Sequence, residues 1–600
     1  MKIPDLYDIQ KKFITDCKKV IDNSSVGIFS SPTGTGKTLS LLLSVLEYIT
    51  ELEEDDVLLE NLVENFSRTK IYFCSRTHSQ LKQCLHEFKN LEVKTNSVIL
   101  GSRKIYCINR EIDNKEDINK VNQKCKDLIK QDNCKYYKQD MFVSGIYDIE
   151  QLVKEGRKHK ACPYFFSKKY FKKCELVFLP YNLLFNEENR KNLNINLINS
   201  IVIVDEAHNI IDTVNNFNTI TIHYEIIEKY FVAFNKYKKL LNLNSKSIKI
   251  VVNMLDILQK LVKYKNSISK IMEVNAFLYD SNLLKYNMLD IEENLKQYNI
   301  CAKIEAYGKN LQNKIFDIIK FLSLLVNSDK NCKIEVADKY LKIFPIDAKL
   351  YFEPFFDCQS IVFAGGTMEP IQPLQDIFNA KNVEYFSYDS IIKNFRGFII
   401  CEFDHKRFEL TEKTRDVEKI QMEIILIIKK IACTVKKGGV VVFLPSKYYL
   451  EFLRKLLKDS ENYFFENFDT FEDYTKATKT NKCVLFAVMG GKLSEGVNFN
   501  DDLCRVLVIF GVPFPNISVE IAEKIKYFGE NFYLQMAMKK VNQTIGRALR
   551  HVNDYASIFL IDARYNKYKK DLSLWFRQKV KDINFETALN ETGKFLDEHY

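Results

Sequence analysis

The chain has 600 residues, 46% hydrophobic and 28% charged, the proportions of a soluble globular protein too long for one core, so about three or four domains are expected. No apolar run is long enough to span a bilayer and the first 25 residues are charged without a long apolar stretch, so neither a membrane span nor a secretory leader is expected and the chain reads as intracellular. The net charge is +10, and the 15 cysteines, odd in number and without C-x-x-C pairs, argue against a disulfide framework and for a reducing compartment.

In chain order, the run VGIFS (26–30) predicts a buried strand. The turn after it, Ser31-Pro32-Thr33-Gly34-Thr35-Gly36-Lys37-Thr38, fits G-x-x-x-x-G-K-[ST] with a small Ser at the first glycine position. Backbone N–H groups opening the next helix would cradle phosphates, Lys37 would reach the β- and γ-oxygens, and Thr38 would hold magnesium. Alone, this motif implies only a nucleotide. Further short apolar runs follow: IYFCS (71–75), LVFLP (176–180), IVIVDE (201–206), SIVFAGG (360–366), GVVVFLP (439–445), VLFAV (484–488), VLVIFG (506–511) and SIFLID (557–562). They fall into two groups separated near 385–400, which predicts an α/β chain with two doubly wound parallel sheets and ligands at the carboxyl ends of their strands.

Between the first strands lies a basic stretch, 101–175, with 18 Lys and Arg against 11 Asp and Glu. Its interleaved aromatics, Tyr136, Tyr137, Tyr164, Phe165 and Phe166, suit a grip on single strands, although a solvated surface gives the same charge count. Strand 201–206 ends in Asp205-Glu206-Ala-His208. Adjacent carboxylates there suit two tasks, Asp205 binding hydrated magnesium and Glu206 activating water, while His208 is placed for a relay toward nucleic-acid contacts. From about 223 to 345 the pattern predicts helix, with Ile226, Ile227, Tyr230, Phe231, Phe234, Tyr237 and Leu241 close to a 3.6 period. Far downstream, KKVNQTIGRALRH sets Gln543, Gly546, Arg547 and Arg550 on an expected helix, where the two arginines share a face and can meet a γ-phosphoryl group held by the other sheet.

In this order the motifs resemble those of superfamily 2 helicases, and in detail the XPD-type iron–sulfur helicases. DLYDIQKKF resembles their adenine-reading segment, with Gln10 as the contact, and CSRTHSQLKQ (74–83) resembles their motif Ia. LGSRKIYCIN (100–109) and GRKHKACPYFFSKK (156–169) match the segments that bracket the family's iron–sulfur domain. VFAGGTMEP (362–370), MGGKLSEGVNFNDD (489–502) and GVPFPN (511–516) resemble the ChlR branch, the helicases of sister-chromatid cohesion. The XPD and Fanconi-anaemia branches usually carry Ser-Gly-Thr-Leu at the first of these, and DEAH-class RNA helicases carry Ser-Ala-Thr and lack the cysteine insertion.

The resemblance implies two RecA-like motor domains, with the first (1–100, 176–222 and 346–390) interrupted by an iron–sulfur domain at 101–175 and a helical arch at 223–345, and the second at 391–600. Cys107, Cys125, Cys134 and Cys162, spaced C-x17-C-x8-C-x27-C, are the implied ligands of a [4Fe–4S] cluster. Spacing alone leaves zinc or plain structural thiols open. Gly365, Gly366 and Thr367 are placed for coupling between the motor domains, and Lys492, Ser494 and Glu495 for linking DNA to the nucleotide. Arg76, Thr77, Arg103, Ser446 and Lys492 are the implied strand contacts, directed at the sugar-phosphate backbone and so without sequence preference. The implied activity is ATP- and Mg2+-dependent unwinding of duplex or forked DNA by 5′ to 3′ movement on single-stranded DNA. A monomeric nuclear motor meeting replication-fork and cohesin factors is expected. Competing readings are the transcription-and-repair helicase subunit of the same family and an ATP-gated structural subunit with a silent motor. The intact Lys37, Asp205, Glu206, Gln543 and Arg547 weigh against the silent motor. Only 32 residues separate Thr38 from Ile71, so the long insertion common in animal ChlR helicases is missing.

Overall fold

The computed structural model describes residues 5–599 except 33, 60–68, 94, 138–139, 142–143, 242–245, 308–310, 312–313, 415–416, 459 and 498. All nine apolar runs form strands, and they are the centres of two parallel sheets. In spatial order the first sheet runs Val383–Ser387, Val26–Ser30, Ser360–Gly365, Ile201–Asp205, Ile71–Ser75, Leu176–Pro180, Ser97–Ile99 and Ile146–Tyr147. Side chains alternate across it: Val202, Val204, Ile361 and Phe363 enter the core on one face, and Ile201, Ile203, Val362 and Ala364 the core on the other. Both faces are covered by helices, which is why these strands read as continuous apolar runs.

The second sheet runs Tyr463–Phe465, Lys482–Val488, Gly438–Leu444, Val506–Phe510, Ala556–Ile561, Phe395–Ile400 and Val580–Asp582, again wholly parallel and packed on both faces. The strands Val383–Ser387 and Phe395–Ile400 belong to different sheets, so the chain crosses between them over residues 388–394.

Two excursions interrupt the first sheet. The first, between Ser97–Ile99 and Leu176–Pro180, carries the α-helices Arg103–Tyr106, Ile118–Lys130, Ile149–Lys158 and Pro163–Tyr170, with a small core of Ile112, Val121 and Cys125 against Cys107 and Phe165. The second carries the helix Tyr224–Lys238, whose Ile227, Tyr230, Phe234 and Tyr237 are buried at the spacing the sequence predicts. The helical pattern of this excursion is accompanied by strands that the sequence does not predict. Ile220–His223, Tyr340–Pro345, Cys332–Val336 and Lys270–Glu273 form an antiparallel sheet at its base. These strands escape a pattern search because they are short and carry Lys and Glu among their apolar residues, as in KIME and CKIEV.

Candidate active site

Register brings the chemistry to one level. Ser30 pairs with Gly365, and Ala364 pairs with Asp205, so the turn after each strand opens at the same carboxyl edge of the sheet. Gly34 and Gly36 adopt φ of +86° and +74°, which side chains resist, and the helix Lys37–Leu59 starts directly after them. The loop is braced internally: Ser31 and Thr35 share a hydroxyl hydrogen bond of 2.8 Å, and Thr35 Oγ1 donates to the Pro32 carbonyl at 2.9 Å. Gln10 lies under it, since a Cβ on Gly36 would sit 2.0 Å from Gln10 Nε2. Its other amide atom, Oε1, accepts the Tyr7 N–H at 2.9 Å.

Lys37 Nζ lies 3.2 Å from Asp205 Oδ1 and 2.9 Å from Glu206 Oε1, and Thr38 Oγ1 lies 3.4 Å from Asp205 Oδ2. Burial works against the Lys37 ammonium, but the two carboxylates leave it more basic than an ordinary lysine. Burial pushes Asp205 up, opposed by Lys37. Burial would raise Glu206 as well, yet Lys37 and His208 hold it well below the usual carboxylate range. The His208 Nδ1 is 3.2 Å from Glu206 Oε2, and Glu206 itself takes a left-handed φ of +56°. Paired with Lys37, an ionised Glu206 is a weaker base than a free carboxylate, and it gains proton affinity only when the ammonium turns to a phosphate.

The Gly365 turn touches both motifs. The Ser31 N–H donates to the Gly365 carbonyl at 2.9 Å, and a Cβ on Gly365 would meet Met368 Sδ at 2.6 Å and the His208 nitrogen at 3.6 Å. Thr367 is buried in the same turn. Two residues at this edge were not singled out from the sequence: Glu369, whose carboxylate accepts Ser30 Oγ at 2.9 Å, and Tyr181, whose hydroxyl donates to the Asp205 carbonyl. Glu369 lies within VFAGGTMEP without a role read for it there, and Tyr181 lies in no motif.

Across the cleft, Gln543 Nε2 donates to Asn209 Oδ1 at 3.3 Å, and Lys539, one turn earlier on the same helix, pairs with Asp212 at 2.6 Å. The expectation that Arg547 and Arg550 share a helical face is corrected here. The helix Glu530–Ile545 ends at Gly546, the Arg547 and Ala548 N–H groups tighten to the Thr544 and Ile545 carbonyls, and the Arg550 N–H leaves the helical ladder for the Asp554 carboxylate at 3.0 Å. The loop so formed rests on the phosphate-binding turn, because a Cβ on Gly34 would lie 2.4 Å from the Arg550 carbonyl oxygen. Burial, then Arg547, lower Arg550 to about 10, with Glu206 and Asp554 opposing.

The expected strand contacts are scattered along the carboxyl edges. Arg76 and Thr77 are exposed, and the Thr77 hydroxyl caps the helix His78–Asn90 by accepting the Gln80 N–H at 3.2 Å. Ser446 opens the helix Lys447–Leu457, and Lys492, exposed, opens the helix Lys492–Gly496. Ser494 is buried and donates to the Gly491 carbonyl at 3.0 Å. A buried residue outside every expected motif, Glu466, fixes this turn: its carboxylate accepts the Val488 N–H at 2.9 Å and the Leu493 N–H at 3.1 Å. Thr33 and the Glu495 side chain lie outside the described residues. Arg103 lies in the first excursion, on the helix Arg103–Tyr106. Its guanidinium, half-buried, stacks over Tyr164 at 4.4 Å and lies beside Cys125.

Cys107, Cys125, Cys134 and Cys162 are gathered in that excursion as free thiols. Burial raises Cys107 and Cys125 and pushes Cys162 up to about 11, and in each case neighbouring cysteines of the set add to the rise. N–H donors oppose this: the Asn109 backbone at Cys107, the Tyr164 and Phe165 backbones at Cys162, and the Arg103 guanidinium at Cys125. Asn109 Nδ2 lies 3.9 Å from Cys134 Sγ. Four cysteines near enough to act on one another, with N–H donors beside them, are the kind of donor set an iron–sulfur cluster uses, so the residues fit one.

Comparison with known proteins agrees with this geometry. Residues 73–227 match the DEAD_2 family and residues 430–579 the Helicase C-terminal domain family. The chain is 32% identical to the ATP-dependent DNA helicase CHL1 of Vanderwaltozyma polyspora, over 89% of this chain and 74% of that protein. It is 30% identical to its Schizosaccharomyces pombe counterpart, chl1, over 88% and 74%, and 27% identical to that of Yarrowia lipolytica over 99% and 98%. Among solved structures, one titled "XPD_Helicase" superposes with a TM-score of 0.64 at 20% identity over 98% of this chain and 99% of that one. Xpd4 of S. tokodaii superposes with 0.56 at 16% identity over 96% and 100%.

Proposed function

The chain belongs to the CHL1 family of ATP-dependent DNA helicases, and from that premise we propose how its residues divide the work. Gln10 reads the adenine, the turn 31–38 holds the phosphates, Thr38 and Asp205 hold Mg2+, and Glu206 draws a proton from the attacking water. Arg547 and Arg550 neutralise the charge on the transferring γ-phosphoryl group from the second sheet. His208, Gly365, Gly366, Thr367 and Glu495 couple closure of the cleft to the strand contacts, Arg76, Thr77, Ser446 and Lys492, so that each cycle moves one sheet along single-stranded DNA. Movement is 5′ to 3′, and the setting is the nucleus, in sister-chromatid cohesion and genome maintenance.

Cys107, Cys125, Cys134 and Cys162 would hold a [4Fe–4S] cluster, which supplies a covalent staple for an excursion with a very small apolar core of its own. The residues around it orient and shield the thiolates: Arg103 offsets charge at Cys125, and backbone N–H groups do so at Cys107 and Cys162.

The observation that most supports the reading is the convergence of Lys37, Asp205, Glu206 and His208 at one strand edge, with the Arg550 loop seated on Gly34 from the other sheet. ATP hydrolysis by protein purified without oxygen, with and without single-stranded DNA, tests it. Stimulation by DNA that vanishes in Glu206→Gln is expected. Hydrolysis indifferent to DNA would contradict the coupling, and iron and sulfide absent from the purified protein would contradict the cluster.

A further inference from the structure

The loop that carries Arg547 and Arg550 ends on a carboxylate that no motif includes. Asp554 is wholly buried, and its two oxygens receive four donors. Oδ2 accepts the Arg550 N–H at 3.0 Å, while Oδ1 accepts the Tyr555 N–H at 3.0 Å, the Asp501 N–H at 3.3 Å and Arg505 Nη1 at 3.4 Å. Arg505 is in turn fixed by Asp502 at 3.0 Å, by the Tyr555 carbonyl at 3.3 Å and by stacking on the Tyr555 ring at 3.9 Å. His551 Nε2 closes the group on Asp501 at 2.8 Å.

Asp501, His551 and Asp554 bring their ligand atoms within 4.8 Å of one another, an arrangement open to a cation. The guanidinium on Asp554 and the backbone donors on both its oxygens give the cluster another task. A buried carboxylate is costly unless paired, and here its partners are the strand starts at Val506 and Ala556 and the main chain of Arg550. The same stretch of main chain meets Gly34 on its other side.

We propose that Asp554 is a positioning residue for ATP hydrolysis: it takes the Arg550 N–H out of the helix and holds the Arg547–Arg550 loop at the height where its guanidinium groups meet the γ-phosphoryl group. This rests on the reading of Arg547 and Arg550 given above. A guanidinium held in advance acts on charge that develops in the transition state and contributes little to binding the diphosphate. Loss of the clamp therefore lowers turnover and leaves ADP binding in place.

Asp554→Asn, Arg505→Lys and Arg550→Ala are compared with wild type by DNA-stimulated ATP hydrolysis and by binding of a fluorescent ADP with and without aluminium fluoride. For Asp554→Asn, kcat and affinity for the fluoride complex are expected to fall by about tenfold or more, with KM for ATP and affinity for ADP within about twofold. Unchanged kcat overturns the proposal, and so does a parallel loss of ADP affinity, which would mark a merely structural carboxylate. If Asp554→Asn does not fold, Arg505→Lys decides: a several-fold fall in kcat with ADP binding retained is expected, and wild-type turnover overturns the proposal. Wild-type turnover in Arg550→Ala would instead overturn the reading of the arginines on which it rests.

Discussion

Lys37 sits between Asp205 and Glu206 with only a tenth of its side chain exposed, so a γ-phosphate must compete with two carboxylates for one ammonium. Removing the ammonium leaves those carboxylates facing the phosphates unneutralised. Lys37→Ala is therefore expected to reduce ATP turnover by about a hundredfold or more, the scale seen when one donor to a developing charge is lost. Turnover within a few-fold of wild type would show that another cation meets the phosphates. Gly36 gives a second test at this scale, because a side chain there is opposed by a φ of +74° and by Gln10 2.0 Å away. Gly36→Ala is expected to weaken nucleotide binding, measured by titration with fluorescent ADP. Adding Gln10→Ala is not expected to restore it, since the backbone strain remains and the adenine contact is lost as well; restoration would contradict the role given to Gln10.

At the scale of elements, the second excursion owns a core independent of the nucleotide edge, with Phe234 fully buried among Ile227, Tyr230 and Leu258. Phe234→Ala is expected to destabilise that unit by about 3–5 kcal/mol, seen as an earlier thermal transition, with ADP affinity unchanged. Loss of ADP affinity would show that the excursion and the motor fold as one. The elements differ in how far their residues announce them. VGIFS or IVIVD needs no partner to be recognised, since a strand covered on both faces is apolar throughout. Edge strands such as Val383–Ser387 and the antiparallel KIME carry exposed residues and are decided by pairing partners distant in sequence. The site divides in the same way. The phosphate turn and DEAH are contiguous and legible, whereas Asp554, Glu466 and Tyr181 act through hydrogen bonds to partners that only the fold brings near. The Arg547–Arg550 segment has a helical pattern in sequence because nothing local shows that Asp554 captures the Arg550 N–H.

At the scale of the whole molecule, polar contacts join the first motor and its excursion to the second sheet. Besides Gln543 with Asn209 and Lys539 with Asp212, Lys342 at the base of the second excursion pairs with Glu520 of the second motor at 2.5 Å, and Lys524 joins it at 2.6 Å. Burial would raise Glu520, but Lys524 and Lys342 hold it below its ordinary value of 4.5. A depressed carboxylate contributes stability that is complete above its ordinary value and is lost as pH falls through the lowered one. Glu520→Gln is thus expected to cost about 1 kcal/mol, evenly between roughly pH 8 and 5, with the gap to wild type narrowing in more acid solution. A gap that widens toward acid would mean the pair does not hold the sheets together. The direct measurement is unwinding of duplexes with a 5′ or a 3′ single-stranded tail by protein purified without oxygen, beside Lys37→Ala and Cys134→Ser. The account requires ATP-driven opening of the 5′-tailed duplex alone, abolished in both variants. ATP hydrolysis that opens neither duplex, or opens the 3′-tailed one, would contradict it.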